Sequence, residues 1–181
     1  MKWFFSRLVQ RNTVFALGFG IPLVFFGSTT PATALVLGIA VLYIVPATQA
    51  TYYLLELRIA KQFRIIMLLL VAALHESIFE IALHLVVPFP GSRLILFIRM
   101  VAVDAMILYP FQAAQRNGSF ADRMKLAGSL VAGFLLTLAL FTALRFGLNV
   151  GGFTLAMSTA LGFFMLGYGK ALYRFVTERT S

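Results

Sequence analysis

The sequence contains no cysteine among its 181 residues. This absence excludes disulfide bonds, thiolate zinc sites and cysteine-held iron–sulfur clusters within the chain. Charged residues are also scarce, at 12% of the chain, and only six residues are acidic. A soluble domain of this length needs a polar surface that so few charged residues cannot supply.

Apolar residues make up 61% of the sequence instead, and the mean hydropathy is +0.93. A helix that crosses a bilayer needs roughly 20 mostly apolar residues. The pattern therefore predicts an all-α membrane protein with six transmembrane helices, in a single polytopic domain over residues 1–181. The lipid bilayer is its first expected partner. The predicted spans are 12–28, 32–57, 63–87, 94–111, 124–146 and 151–176.

Two features of the termini and loops refine this prediction. Basic residues precede the first apolar run, as in a signal peptide, but no small-residue cleavage site ends that run, so we expect a retained first helix. The stretch 27–30 reads as a tight turn, after which Pro31 suits the first position of the second helix.

The basic residues orient the predicted spans. Twelve of the fifteen lie on one side of a six-span arrangement, and basic residues collect on the cytoplasmic side of membranes. We therefore expect a multi-pass protein of the bacterial inner membrane with both termini in the cytoplasm. The same asymmetry accounts for the net charge of +9 without a nucleic-acid partner. The twelve are Lys2, Arg7, Arg11, Arg58, Lys61, Arg64, Arg116, Arg123, Lys125, Lys170, Arg174 and Arg179.

Several ionisable residues fall inside the predicted spans, where each costs roughly 2.5–3.5 kcal/mol near the midplane. Glu76, Glu80 and His84 recur every four residues and so share one face of the third span, with His75 beside them. They favour either an ion or proton path or an internal salt-bridge network that joins Arg99 to Asp104 or to the glutamates. A metal site at Glu80 and His84 is a third interpretation. The candidates for the ion path are Glu76, Glu80, His84, Asp104 and Arg99.

Glycine and proline interrupt the first predicted span at Gly20 and Pro22, and Asp104 lies midway through the fourth. Interrupted helices at corresponding positions of two three-helix halves are typical of inverted-repeat membrane proteins. The pattern predicts two inverted three-helix repeats, over about 12–87 and 94–176, with the first helix of each half interrupted. A simple packing kink is the alternative.

A further pattern extends over the stretches 11–22, 37–40, 103–105, 119–122, 161–162 and 169–172, with Ser28, Thr33, Pro88, Leu94 and Phe97. At these positions the chain resembles a known family, the Rnf/Nqr integral membrane subunits of ion-translocating, ferredoxin- and NADH-dependent electron-transport complexes. In that family, two homologous six-helix subunits of opposite topology hold one [2Fe–2S] cluster between them through cysteines at the helix breaks. Glu80 matches the family's membrane glutamate, and Arg145 also matches.

The chain departs from the family at the cluster site. Pro22 and Ala105 stand where the resemblance places cysteines, Asp104 replaces an asparagine and Arg99 replaces a proline. The resemblance therefore implies no [2Fe–2S] cluster bound by this chain alone, and no other cofactor or metal is expected.

These residues favour a non-catalytic membrane subunit that scaffolds a larger complex beside a homologous or redox partner protein. Such a subunit would not be an enzyme on its own but an accessory subunit of a membrane oxidoreductase complex. The alternatives are a free-standing inverted-repeat transporter of a small solute or ion, and a quinone-handling subunit that borrows its cofactor.

Overall fold

The computed structural model describes residues 20–87, 90–104 and 119–152, together with 162, 164, 167–171 and 175. All regular structure in this described part is helical, which confirms the all-α class. A 3₁₀ turn at Lys61–Phe63 directly precedes the helix that begins at Arg64. The helices bounded within the described residues are α1, Ile21–Gly27; α2, Pro31–Glu56; α3, Arg64–Val86; α4, Ser92–Asp104; and α5, Phe120–Val150.

Three helical segments are long and apolar enough to cross a membrane: Pro31–Glu56, Lys61–Val86 and Phe120–Val150. They correspond to the predicted spans 32–57, 63–87 and 124–146, and α5 extends beyond both predicted bounds. Large apolar side chains lie exposed along all three, among them Leu42, Leu85 and Leu140. A soluble protein rarely exposes such continuous apolar surface, so these side chains are suited to contact with lipid.

The other three predicted spans lie partly outside the described residues. α1 falls within 12–28, and α4 covers the first part of 94–111, beginning slightly earlier than predicted. Residues 12–19, 105–111, including Ala105, and most of 153–176 are not among those described. The six-helix count and the inverted repeat therefore stay predictions.

Hydrogen-bonding side chains define where two of the long helices begin. Thr30 Oγ1 accepts a hydrogen bond from the Thr33 amide at 3.1 Å, and Pro31 takes the first helical position, as predicted. At α5, the Asp122 amide donates to Ser119 Oγ at 3.2 Å, and the Ser119 amide donates to Asp122 Oδ2, also at 3.2 Å. This reciprocal pair satisfies amides that a helix start leaves without partners.

The chain forms two compact units, divided between Leu35 and Val36 and again between Val131 and Ala132. The unit over Val36–Val131, here the second unit, contains most of α2, all of α3 and α4, and the start of α5. Within it, α3 packs on α4 where Ala72 and Ala102 are both buried. Small residues of this kind let membrane helices approach closely.

The first unit comprises the residues before and after the second, and its described core is built around α1. Leu23, Val24 and Phe25 on this short helix are all buried. Gly20, directly before α1, has φ +70°, and a Cβ there would lie 2.6 Å from the ring of Phe134. Only glycine meets both conditions without strain.

Candidate functional site

The polar row of the second unit consists of Glu76, Glu80 and His84, four residues apart on α3. At 1.5 Å per residue, these positions lie about 15, 9 and 3 Å from the end of α3 at Val86. Burial falls in the same order, because Glu76 is buried, Glu80 is half-buried and His84 is exposed. The row therefore runs from the middle of a membrane-length helix to one of its ends.

Glu80 is paired with Arg99 of α4 through two hydrogen bonds. Arg99 Nε donates to Glu80 Oε2 at 3.2 Å, and Arg99 Nη2 donates to Glu80 Oε1 at 2.9 Å. A two-point contact fixes the carboxylate more firmly than a single charge pair does. The sequence left Asp104 and the α3 glutamates as possible partners of Arg99, and in the structure Arg99 pairs with Glu80. Asp104 is the last described residue of α4 and is partly buried.

Glu76 occupies a different environment one turn deeper. Its side chain is buried at 7% exposure, and its Oε1 atom has no hydrogen-bond partner among the described residues. Buried polar atoms in native proteins nearly always have a partner, so an exception requires an explanation. Ionisable groups kept deep inside a membrane helix are typical of ion and proton pathways.

His84 closes the row at the end of α3. Its Nδ1 atom lies 2.8 Å from the backbone oxygen of Glu80. Because a carbonyl oxygen only accepts, Nδ1 carries the hydrogen, and the neutral ring then presents Nε2 as an acceptor. Nε2 of His84 is therefore an acceptor near the helix end.

An open groove of about 550 Å³ between α3 and α4 is lined by Glu80, His84 and Arg99, and Glu76 lies outside it. Polar and apolar side chains share its walls, so it can admit water or an ion, or the side chains of another protein. We call it the α3–α4 groove; its lining residues are Ser77, Glu80, Ile81, His84, Leu85 and Arg99. Among the described residues, no group of three or more His, Cys, Asp or Glu side chains is arranged to bind a metal.

His75 does not join this row, although the sequence places it beside Glu76. Its ring faces α2, where Nε2 lies 2.9 Å from Thr51 Oγ1 and Nδ1 lies 3.3 Å from the hydroxyl of Tyr43. The contacts with Tyr43 and Thr51 tie α3 to α2. They give His75 a structural role separate from the groove.

Sequence reasoning missed a buried charge cluster at the ends of three helices. At the end of α2, Glu56 Oε2 accepts a hydrogen bond from Arg123 Nη1 at 2.5 Å, and Glu56 Oε1 lies 3.8 Å from Arg64 Nη1. All three residues are less than a tenth exposed. The sequence marked Arg64 and Arg123 only as basic loop residues. Glu56, the one acidic residue of the connection 56–64, was the available signal.

The first unit holds a third buried arginine, which the sequence could not place. Arg145 of α5 is 1% exposed, and its Nη1 donates to the backbone oxygen of Phe25 at 2.8 Å and to Ser28 Oγ at 2.9 Å. It thereby satisfies a carbonyl at the end of α1, where the negative end of the helix dipole favours a cation. Pro22 lies in the first turn of α1, where its missing amide hydrogen leaves no bond unmade.

The family model described as "Rnf-Nqr subunit, membrane protein" matches residues 1–170, which is almost the whole chain. No curated protein and no solved structure matches it.

Proposed function

Because the chain belongs to the Rnf-Nqr subunit family of membrane proteins, we propose that it works as a membrane subunit of a larger ion-translocating electron-transport assembly. The observation that carries this proposal is a family match over residues 1–170 on a chain with three membrane-length apolar helices. On this proposal the chain is one polytopic domain of six spans in two inverted repeats. The distribution of its basic residues favours an inner membrane and cytoplasmic termini.

A thiolate-held iron–sulfur cluster does not fit the residues of this chain. The chain has no cysteine, and the Pro22 ring and the Ala105 methyl group offer no ligand. The position beside Gly20 is also filled, by the ring of Phe134. We propose that the subunit scaffolds the assembly and positions partners without carrying electrons through a cluster of its own.

The polar row on α3 supplies the part of an ion path that lies between one membrane surface and the middle of the membrane. His84 Nε2 takes up a proton or small cation at the exposed end, and Glu80 offers a carboxylate held in place by Arg99. Glu76 is the deepest station, with a buried oxygen that has no partner among the described residues. With both termini cytoplasmic, the exposed end of α3 faces outward, so the row leads from the outer surface to the middle of the membrane.

Substitution of Glu76 tests this path. The assay uses inside-out membrane vesicles that contain the intact assembly. Glu76→Gln should reduce electron-transport-driven ion uptake at least about 10-fold, because glutamine keeps the shape of the side chain but carries no negative charge. Asp122→Asn is the matched control, because it neutralises a carboxylate that is half exposed at a helix start. Wild-type uptake in the Glu76→Gln assembly would contradict the path.

A further inference from the structure

The α3–α4 groove presents a cation toward the outside of the second unit. The Arg99 side chain is 61% exposed, although Nε and Nη2 both donate to Glu80. The two N–H groups on Nη1 have no partner among the described residues. A guanidinium has five donors and no acceptor, so these two need an acceptor from elsewhere.

The depth of Arg99 makes this exposure costly. Arg99 lies seven residues into α4, about 10 Å from its start at Ser92, while Glu80 lies about 9 Å from the end of α3. A free arginine at such a depth extends its head group to the membrane surface. Here Glu80 holds the guanidinium in place, so Nη1 faces the hydrocarbon unless water in the groove or a group of another protein satisfies it.

We propose that a transmembrane helix of another subunit docks in the α3–α4 groove and presents an Asp or Glu carboxylate to Arg99 Nη1. This inference rests on the proposed function, since it requires the chain to work within an assembly. Ile81 and Leu85 form an apolar rim, at 66% and 83% exposure, against which the flanks of such a helix can pack. Ser77 leaves room for its close approach.

Charge favours a carboxylate from a different protein over a second copy of this chain. The chain has 15 basic and only six acidic residues, and Glu56 and Glu80 already pair with its own arginines. A symmetric contact between two copies at this groove would also bring the same patch to both sides. The two Arg99 guanidinium groups would then face each other, at a cost in repulsion.

Photo-crosslinking in native membranes tests the docking surface without altering its polar residues. A benzophenone side chain at Ile81 should form an adduct with a different membrane protein, at a transmembrane segment with an Asp or Glu within one helical turn. The same probe at Leu42 of α2, also apolar and exposed, is the control and should not label that segment. Adducts only with lipid, with a second copy, or with a segment that lacks an acidic residue would overturn the proposal.

Variants of Arg99 test the charge itself. Arg99→Gln should reduce the yield of the Ile81 adduct by at least about 30-fold, whereas Arg99→Lys should retain most of it. An unchanged yield with Arg99→Gln would overturn the docking contact. The ion path is tested separately, since Glu76→Gln should leave the Ile81 adduct unchanged. Normal ion uptake in the Glu76→Gln variant, with the Ile81 adduct still formed, would contradict the ion path but leave the docking proposal standing.

Discussion

Substitution of Glu56 by Gln provides the strongest test of the buried charge cluster. The change keeps the size of the side chain but removes the carboxylate that faces two arginines. Arg64 begins α3 and Arg123 lies in the first turn of α5, so both cations sit at the positive end of a helix dipole. The carboxylate of Glu56 offsets the repulsion between these cations and the helix dipoles. In the Glu56→Gln variant this compensating negative charge is lost.

The burial of the cluster sets the size of the expected effect. Solvent does not screen these charges, since the side chains of Glu56 and Arg123 are 5% and 4% exposed. Removing one partner of a buried ion pair costs about 3–5 kcal/mol. For a protein of this length, that loss corresponds to a fall in Tm of about 6–20 °C.

Thermal unfolding in mild detergent, followed by circular dichroism, measures this fall. Asp122→Asn is the control, because the pair of Asp122 with Lys125 is exposed to solvent screening and asparagine keeps a side-chain oxygen that can accept from Ser119. In a double-mutant cycle, Arg123→Met should cost less in the Glu56→Gln background than in the wild type. A fall in Tm below 2 °C for Glu56→Gln, or additive effects in the cycle, would refute the assignment.

Two further substitutions test the first unit. Gly20→Ala should lower the free energy of unfolding by more than about 1–2 kcal/mol, because alanine is strained at φ +70° and its Cβ would meet Phe134. Gly128→Ala, at an open position on α5, should instead be neutral or stabilising, and equal effects of the two in thermal unfolding would contradict this account. Arg145→Met should cost about 1.5–3 kcal/mol for each lost bond, since it leaves the Phe25 carbonyl without its donor. An unchanged Tm would show that Arg145 does not hold the end of α1.

Local sequence patterns were sufficient to predict several elements of the fold. The start of α2 at Pro31 follows from the turn at 27–30 and the proline after it, which act within a few residues of each other. The row on α3 follows from a four-residue repeat, because a single helix fixes which side chains share its face. The length and hydropathy of the apolar runs predicted the three membrane-length helices.

The long-range pairings could not be predicted in the same way. Glu56 and Arg123 are 67 residues apart, and Arg145 is 120 residues from Phe25. No periodicity connects positions on different helices, so charge composition alone could not distinguish a buried arginine from one that marks a cytoplasmic loop. For Arg99, the sequence left Asp104 and the glutamates as equal partners. Only the packing of α4 against α3 brings Glu80 within reach.

Native mass spectrometry of the protein, released from its own membranes in mild detergent, tests the central claim most directly. The account predicts that the 20.0 kDa chain is found in a larger complex with at least one different membrane protein in fixed stoichiometry. A free monomer, or an oligomer of this chain alone, that moves a solute or ion when reconstituted into liposomes would contradict it.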